Sequence, residues 1–184
     1  MIAHKFLRRG ALALITRESW PQPSADGSPG AWRELSDGPL VPCRRGLHAC
    51  RIDQLGFWLA DELWQVELDG ERIETQHSLV ARRMRLLRRV ERWEGDVGQA
   101  FADACAERAV RAIASVAQPP PLAREYLEQT HAFARQHRHP LTAYAAALAV
   151  SAMAPAAEAM SAFDAERRVQ GHTLARMVGL PADA

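Results

Sequence analysis

The sequence predicts an α+β protein: a small, twisted, mostly antiparallel sheet from residues 1–93, packed against about four helices from residues 96–184. Up to residue 93 the apolar residues come in short runs, often alternating, broken by glycine and proline. After Gly95 the chain becomes alanine-rich, with apolar residues at helical spacing. The two segments are expected to be separate units or one domain with a shared core. A helix near 142–153 that is apolar almost all round needs burial on every side, which favours sharing.

Taken in order, Phe6-Leu7 and Ala11 to Ile15 flank Arg8-Arg9-Gly10, which predicts a β-hairpin with its turn near Gly10. Residues 21–31, rich in Pro, Ser, Gly and Asp, predict a surface loop. Ala31 to Leu35 and Leu40 to Pro42 are expected as short edge strands around a turn at Asp37-Gly38. Gly46 to Cys50 alternates like a strand, and Ile52 to Ala60 follows as a short helix that Asp53 could cap. Glu62 to Leu68, Asp69-Gly70 and Glu71 to Gln76 predict a tight hairpin, because Asp-Gly suits the positive φ angles of such turns. Leu79 to Trp93 fits both periods and is assigned as the final strand.

Four helices complete the chain. The first carries Val97, Phe101, Val110 and Ile113 and ends before Pro119-Pro120-Pro121. The second carries Leu122, Tyr126, Leu127, Thr130 and Phe133. The third spans Thr142 to Met153, and the fourth, Ala157 to Val178, is expected to turn Met160, Phe163, Val169, Leu174 and Met177 inward.

Of 184 residues, 48% are apolar, enough for a sizeable core, and the formal charge is +1. That balance argues against nucleic acid or a membrane surface as a partner held by bulk electrostatics. No apolar run reaches the roughly 20 residues of a membrane helix, and charges interrupt the first residues where a signal peptide would be apolar. A cytoplasmic location is expected. Three cysteines suit a reducing compartment, as thiols or metal ligands, with a Cys43–Cys50 disulfide as an alternative.

Four constellations could carry chemistry. Cys43, His48 and Cys50 place two thiols and an imidazole where a strand could aim His48 and Cys50 at one zinc ion, with His4, His77 or water as a fourth ligand. Core cysteine and core histidine are the more ordinary roles. Around Trp58, Asp61, Glu62, Trp64 and Glu67, a carboxylate desolvated beside tryptophan could serve as a general acid or base, making Glu62 and Glu67, with His48, the catalytic candidates. Trp58 and Trp64 could instead stack on a ligand. Arg82, Arg83, Arg85, Arg88, Arg89 and Arg92 could bind an anion, whether a nucleotide, RNA or a phosphorylated partner, or form a solvated face paired with Glu67, Glu71 and Glu74. His131, His137 and His139 gather near a helix end, where free carbonyls give them a structural role. No P-loop, GxGxxG, GxSxG or HExxH is present.

The segments GLHAC, DELW and VELDGE, with a KFLRRG-like start, resemble a group of small uncharacterised bacterial proteins, which implies no activity. The order Gly46-Leu47-His48-Ala49-Cys50, a short segment with Leu55 and Trp58, then Leu63 to Leu68, is also similar to the ADP-ribosyltransferase fold. That resemblance implies an NAD site, but Arg8-Arg9-Gly10 lacks the family's nicotinamide-holding histidine, and no late glutamate matches its catalytic one. The expectation is therefore binding of a protein partner or a small anionic ligand by the tryptophan-rich sheet segment. The rival reading is an enzyme using NAD or zinc, neither favoured over the other.

Overall fold

The structure, a computed structural model, describes residues 1–181 and has the expected α+β architecture. Its strands are β1 (Ile2–Leu7), β2 (Arg33–Glu34), β3 (Leu47–Ala49), β4 (Glu62–Glu74) and β5 (Leu79–Arg89). The helices are α1 (Asp96–Ala114), α2 (Pro121–Arg135), α3 (His139–Ser151) and α4 (Ala159–Val178), with a 3-10 segment at Ile52–Phe57. Every strand pairing is antiparallel: β1 with β4, β4 with β5, and β5 with both β3 and β2. The ring then closes through one bridge, in which His4 and Cys50 exchange backbone hydrogen bonds of 2.9 and 2.7 Å. A sheet that curls this far has an inside, here filled by Leu7, Trp20, Trp64, Val66, Leu68, Met84 and Leu86.

The other face of the sheet shares a second core with the helices. Phe6, Leu55 and Leu63 from the sheet half meet Phe101, Ala146 and Leu174 from the helical half, with Trp93 edge-on between Phe6 and Phe101 at 5.7 Å from each.

Several local expectations are corrected. The first hairpin stops being regular at Leu7: Arg8, Leu12 and Ser19 make only isolated bridges, and Ala11 and Arg17 take positive φ. Leu40 to Pro42 is no strand, contributing a single Val41–Arg45 bridge. Asp69-Gly70 is not a hairpin turn. β4 runs straight through it, and the positive φ of Gly70 serves a bulge between Asp69 and Arg72. The actual turn is Thr75–Ser78, locked by the Thr75 hydroxyl accepting from the Ser78 backbone N–H at 3.0 Å. Asp53 does not cap the 3-10 segment: its carboxylate pairs with Arg51, while the Gln54 side chain accepts from the Arg51 N–H at 3.0 Å.

α4 is the clearest departure. Met160 and Val169, expected inside, are 73% and 37% exposed, whereas Asp164, Glu166, Arg167 and Gln170 are buried. The cause lies in the partner surface, which is the backbone of the 3-10 segment rather than an apolar side-chain layer. A Cβ on Gly171 would lie 2.5 Å from the Ile52 carbonyl oxygen, and one on Gly56 would strike the Arg167 carbonyl. Small residues set the approach, and polar side chains beside them find partners: Glu166 holds Arg108 through two bonds of 3.0 and 2.8 Å, and Gln170 donates to the Ala143 carbonyl. Gly171→Ala in a helix would ordinarily gain up to about 1 kcal/mol. Here denaturant unfolding should show a loss of about 2 kcal/mol or more, because backbone must move to admit the methyl. An unchanged or increased stability would contradict this packing.

Candidate functional site

β1 exchanges backbone hydrogen bonds with the chain at the end of β3 only at the His4–Cys50 bridge, and beyond it the backbone ladder between the two strands stops. The gap opens into a cleft of about 520 Å³, walled by Ala13 to Thr16, Trp20, Arg33, Leu35, the turn Cys43 to Gly46, β3 and Trp58. That volume suits a small molecule.

At the floor lies Lys5. Alternation along β1 puts Ala3, Lys5 and Leu7 on the inward face, so a charged side chain occupies a position that the pattern reserves for the barrel interior. Its ammonium crosses the gap to the His48 carbonyl oxygen at 2.5 Å, replacing the backbone donor that a continued ladder would have supplied. It also stands 4.9 Å from the centre of the Trp20 ring, with Arg33 at 5.1 Å from the same ring. No carboxylate pairs with Lys5 among the described residues; Glu18, the acid of the cleft, bonds Arg33 at 3.0 Å. Burial, with the Arg33 charge adding and Cys50 opposing, pulls the Lys5 amine down to about 8. Arg44, exposed, adds a further cation to the lining.

No protein-family model, curated protein or solved structure matches the chain. The site therefore has to be read from its own chemistry.

The proposed zinc ligands do not assemble. Among the described residues no three His, Cys, Asp or Glu side chains are grouped so as to hold a metal ion. His48 spends Nε2 accepting from the Cys43 backbone N–H at 3.2 Å and tilts against Trp58 at 6.0 Å. Burial and the nearby Lys5 charge lower its pKa, against a backbone hydrogen bond at Gly46, and keep the ring neutral. Cys50 turns into the core, donates to the His4 carbonyl at 3.3 Å, and is pushed by burial up to about 12, an inert thiol. Cys43 is exposed, and all three cysteines are free. Of the suggested fourth ligands, His4 is fully buried and His77 is bound to Asp164 at 3.2 Å.

Glu62 is buried beside Trp64 as the sequence suggested, but the effect on its acidity is the reverse. Burial alone would raise its pKa; the N–H groups of Gly10 and Ala11, the Trp64 indole and Arg89 outweigh it, holding the carboxyl below its ordinary value. Those donors lie at 2.8, 3.0 and 3.0 Å, and Arg89 at 3.4 Å. Glu62 is thus a tie, ionised at neutral pH, between β4 and the loop after β1. It borders a broader, open hollow whose Arg89 is already held by Glu62 and Glu94. Trp64 is closed inside the barrel, 4% exposed, and offers no stacking surface; Trp58 does line the cleft, its indole donating to the His77 carbonyl at 2.6 Å.

The arginines of β5 form cross-strand pairs on the outer face. Arg82 bonds Glu71, Arg83 bonds Asp69 at 2.9 Å, Arg85 bonds Glu67 at 2.7 Å, and Arg88 bonds the Gln65 side chain at 2.9 Å. The charges of Arg82, Arg83 and Arg85 are met by acids, Arg88 bonds a neutral amide, and Glu67 is occupied by Arg85. None of the four lines the cleft.

Reading by motif missed Lys5, Trp20 and Arg33. One signal was present. Of 23 basic side chains, 22 are arginines, and Lys5 is the only lysine in the chain. It interrupts an apolar strand, at inward parity.

His4, the neighbour of Lys5, is fully buried with neither ring nitrogen bonded. Burial, with Arg88 adding, pushes it from 6.5 down to about 4. The fold therefore favours the neutral ring. Full stability is present above pH 6.5 and is lost as pH falls toward 4, by a total of about 3 kcal/mol. Denaturation measured across pH 4–6.5 should show this slope in the parent and a flatter one in His4→Leu; parallel slopes would contradict it.

Proposed function

We propose that the chain binds a small anionic ligand with an apolar or flat body in the cleft between β1 and β3. One observation carries the reading: a half-buried cation on the inward face of β1, with a carbonyl oxygen as its hydrogen-bond partner and, among the described residues, no acid paired with it. Such a group costs stability unless an opposite charge reaches it, and an incoming anion supplies that charge while displacing little. Arg33 and Arg44 give the ligand's anionic end further partners, and Ala13, Leu14, Leu35 and Trp58 give its body an apolar wall. A concave site of this size favours a small molecule over a protein surface.

The test is calorimetric titration and thermal unfolding with a panel of small carboxylates and phosphate monoesters at constant ionic strength. At least one should raise the melting temperature of the parent with saturation, as ligand binding to the folded state requires. The shift should vanish in Lys5→Met. Equal shifts in both proteins would retire the proposal.

A further inference from the structure

We propose that Lys5 captures a carbonyl-bearing carboxylate, a 2-oxo acid, as an imine; this rests on the anion-binding reading and specifies its ligand class. Three features of the cleft support it. Lys5 carries the chain's only side-chain primary amine, and it is half-buried, facing the cleft. Its polar partner, the His48 carbonyl oxygen at 2.5 Å, can still accept from the neutral amine, more weakly than from the ammonium, whereas a carboxylate partner would have fixed the charge. Burial and the Arg33 guanidinium favour the neutral amine, Cys50 opposes them, and Glu18 is turned to Arg33. An amine held near 8 is free base in a useful fraction at neutral pH, as a nucleophilic lysine must be.

The step is a condensation that needs no oxidant or reductant. The Nζ lone pair attacks the carbonyl carbon, and the carbonyl π pair moves to oxygen to give a carbinolamine. The carbon–oxygen bond then breaks, both nitrogen-bound hydrogens pass to that oxygen, and water leaves as the C=N bond forms. Water at the cleft mouth relays the protons. Arg33 and Arg44 would hold the carboxylate, so the neutral aldehyde of the same size should be a poor partner.

The experiment exposes the full untagged chain to glyoxylate with sodium cyanoborohydride, which traps an imine as a stable secondary amine, followed by peptide mapping. The α-amino group of Met1, which donates to the Leu68 carbonyl at 3.0 Å, is the internal reference. Glyoxylate should modify Lys5 at least about tenfold faster than Met1, through local enrichment by the basic lining. Acetaldehyde should show no such preference, and glycolate, an anion without the carbonyl, should protect Lys5. Lys5→Arg should keep glycolate binding and lose modification at position 5. If glycolate binds but glyoxylate modifies Met1 as fast as Lys5, the imine is overturned and anion binding stands. If glycolate neither binds nor protects and Lys5 shows no preference, the imine falls, and anion binding falls with it only if no carboxylate or phosphate monoester of the panel shifts the melting temperature of the parent.

Discussion

Lys5→Met is expected to yield a protein that is more stable than the parent and indifferent to small anions. The two effects have one origin. Folding pulls the Lys5 amine from 10.5 down to about 8, so the folded state disfavours the protonated form. The sign follows from proton counting: between pH 8 and 10.5 the unfolded chain holds the proton that the folded chain has released, so stability rises with pH across that window. Below pH 8 the full penalty is present, and at neutral pH it amounts to about 1–3 kcal/mol after allowance for partial solvent access. Methionine keeps the length of the stem and removes the charge, so denaturant unfolding at pH 7 should show a gain of that order, shrinking toward pH 10.5. A loss of stability would mean that the ammonium contributes to the fold through its bond to His48, and that the cleft is a structural feature. Destabilising groups kept at the floor of a cavity are a common mark of functional sites.

The second large effect concerns Glu62. Replacing it with alanine should cost about 3 kcal/mol, because the N–H groups of Gly10 and Ala11 and the Trp64 indole lose their acceptor, while Arg89 keeps Glu94. Urea unfolding reads this directly. Glu62→Gln should recover part of the loss, since the amide keeps one oxygen but presents an N–H₂ to a donor. Were Glu62 a general acid or base in a flexible site, alanine would leave stability nearly untouched. The expected collapse distinguishes a tie from a catalyst.

The sequence carried the fold at the level where patterns are strong. Alternation and the composition change at Gly95 locate the sheet and the helices, and the final strand expected over Leu79 to Trp93 is β5 as far as Arg89, with a 3-10 turn at Glu91–Trp93. Local chemistry was less decisive wherever tertiary contacts competed with it. Asp69-Gly70 has the residues of a hairpin turn, yet continuous pairing with β5 on both sides turned it into a bulge. On α4 Leu174 is buried as expected, but Met160 and Val169 are exposed and Asp164, Glu166, Arg167 and Gln170 are buried, because close backbone approach at Gly56 and Gly171 admits small and polar residues there. At the site, Trp58 was legible as a tryptophan near a turn. Lys5 was not, because a lone lysine in a strand carries no motif; its meaning comes from the splay of β1 from β3, a long-range feature. The arginines of β5 stand out by number, and cross-strand acids account for Arg82, Arg83 and Arg85.

The presence of a single lysine makes the central claim directly measurable. With ¹³Cε- and ¹⁵Nζ-labelled lysine, the chain should give one side-chain signal, and its titration reports the amine that the cleft is proposed to use. The account predicts a midpoint near 8, moving upward when a binding anion from the panel is added. A midpoint at the ordinary 10.5, unmoved by any anion, would contradict it.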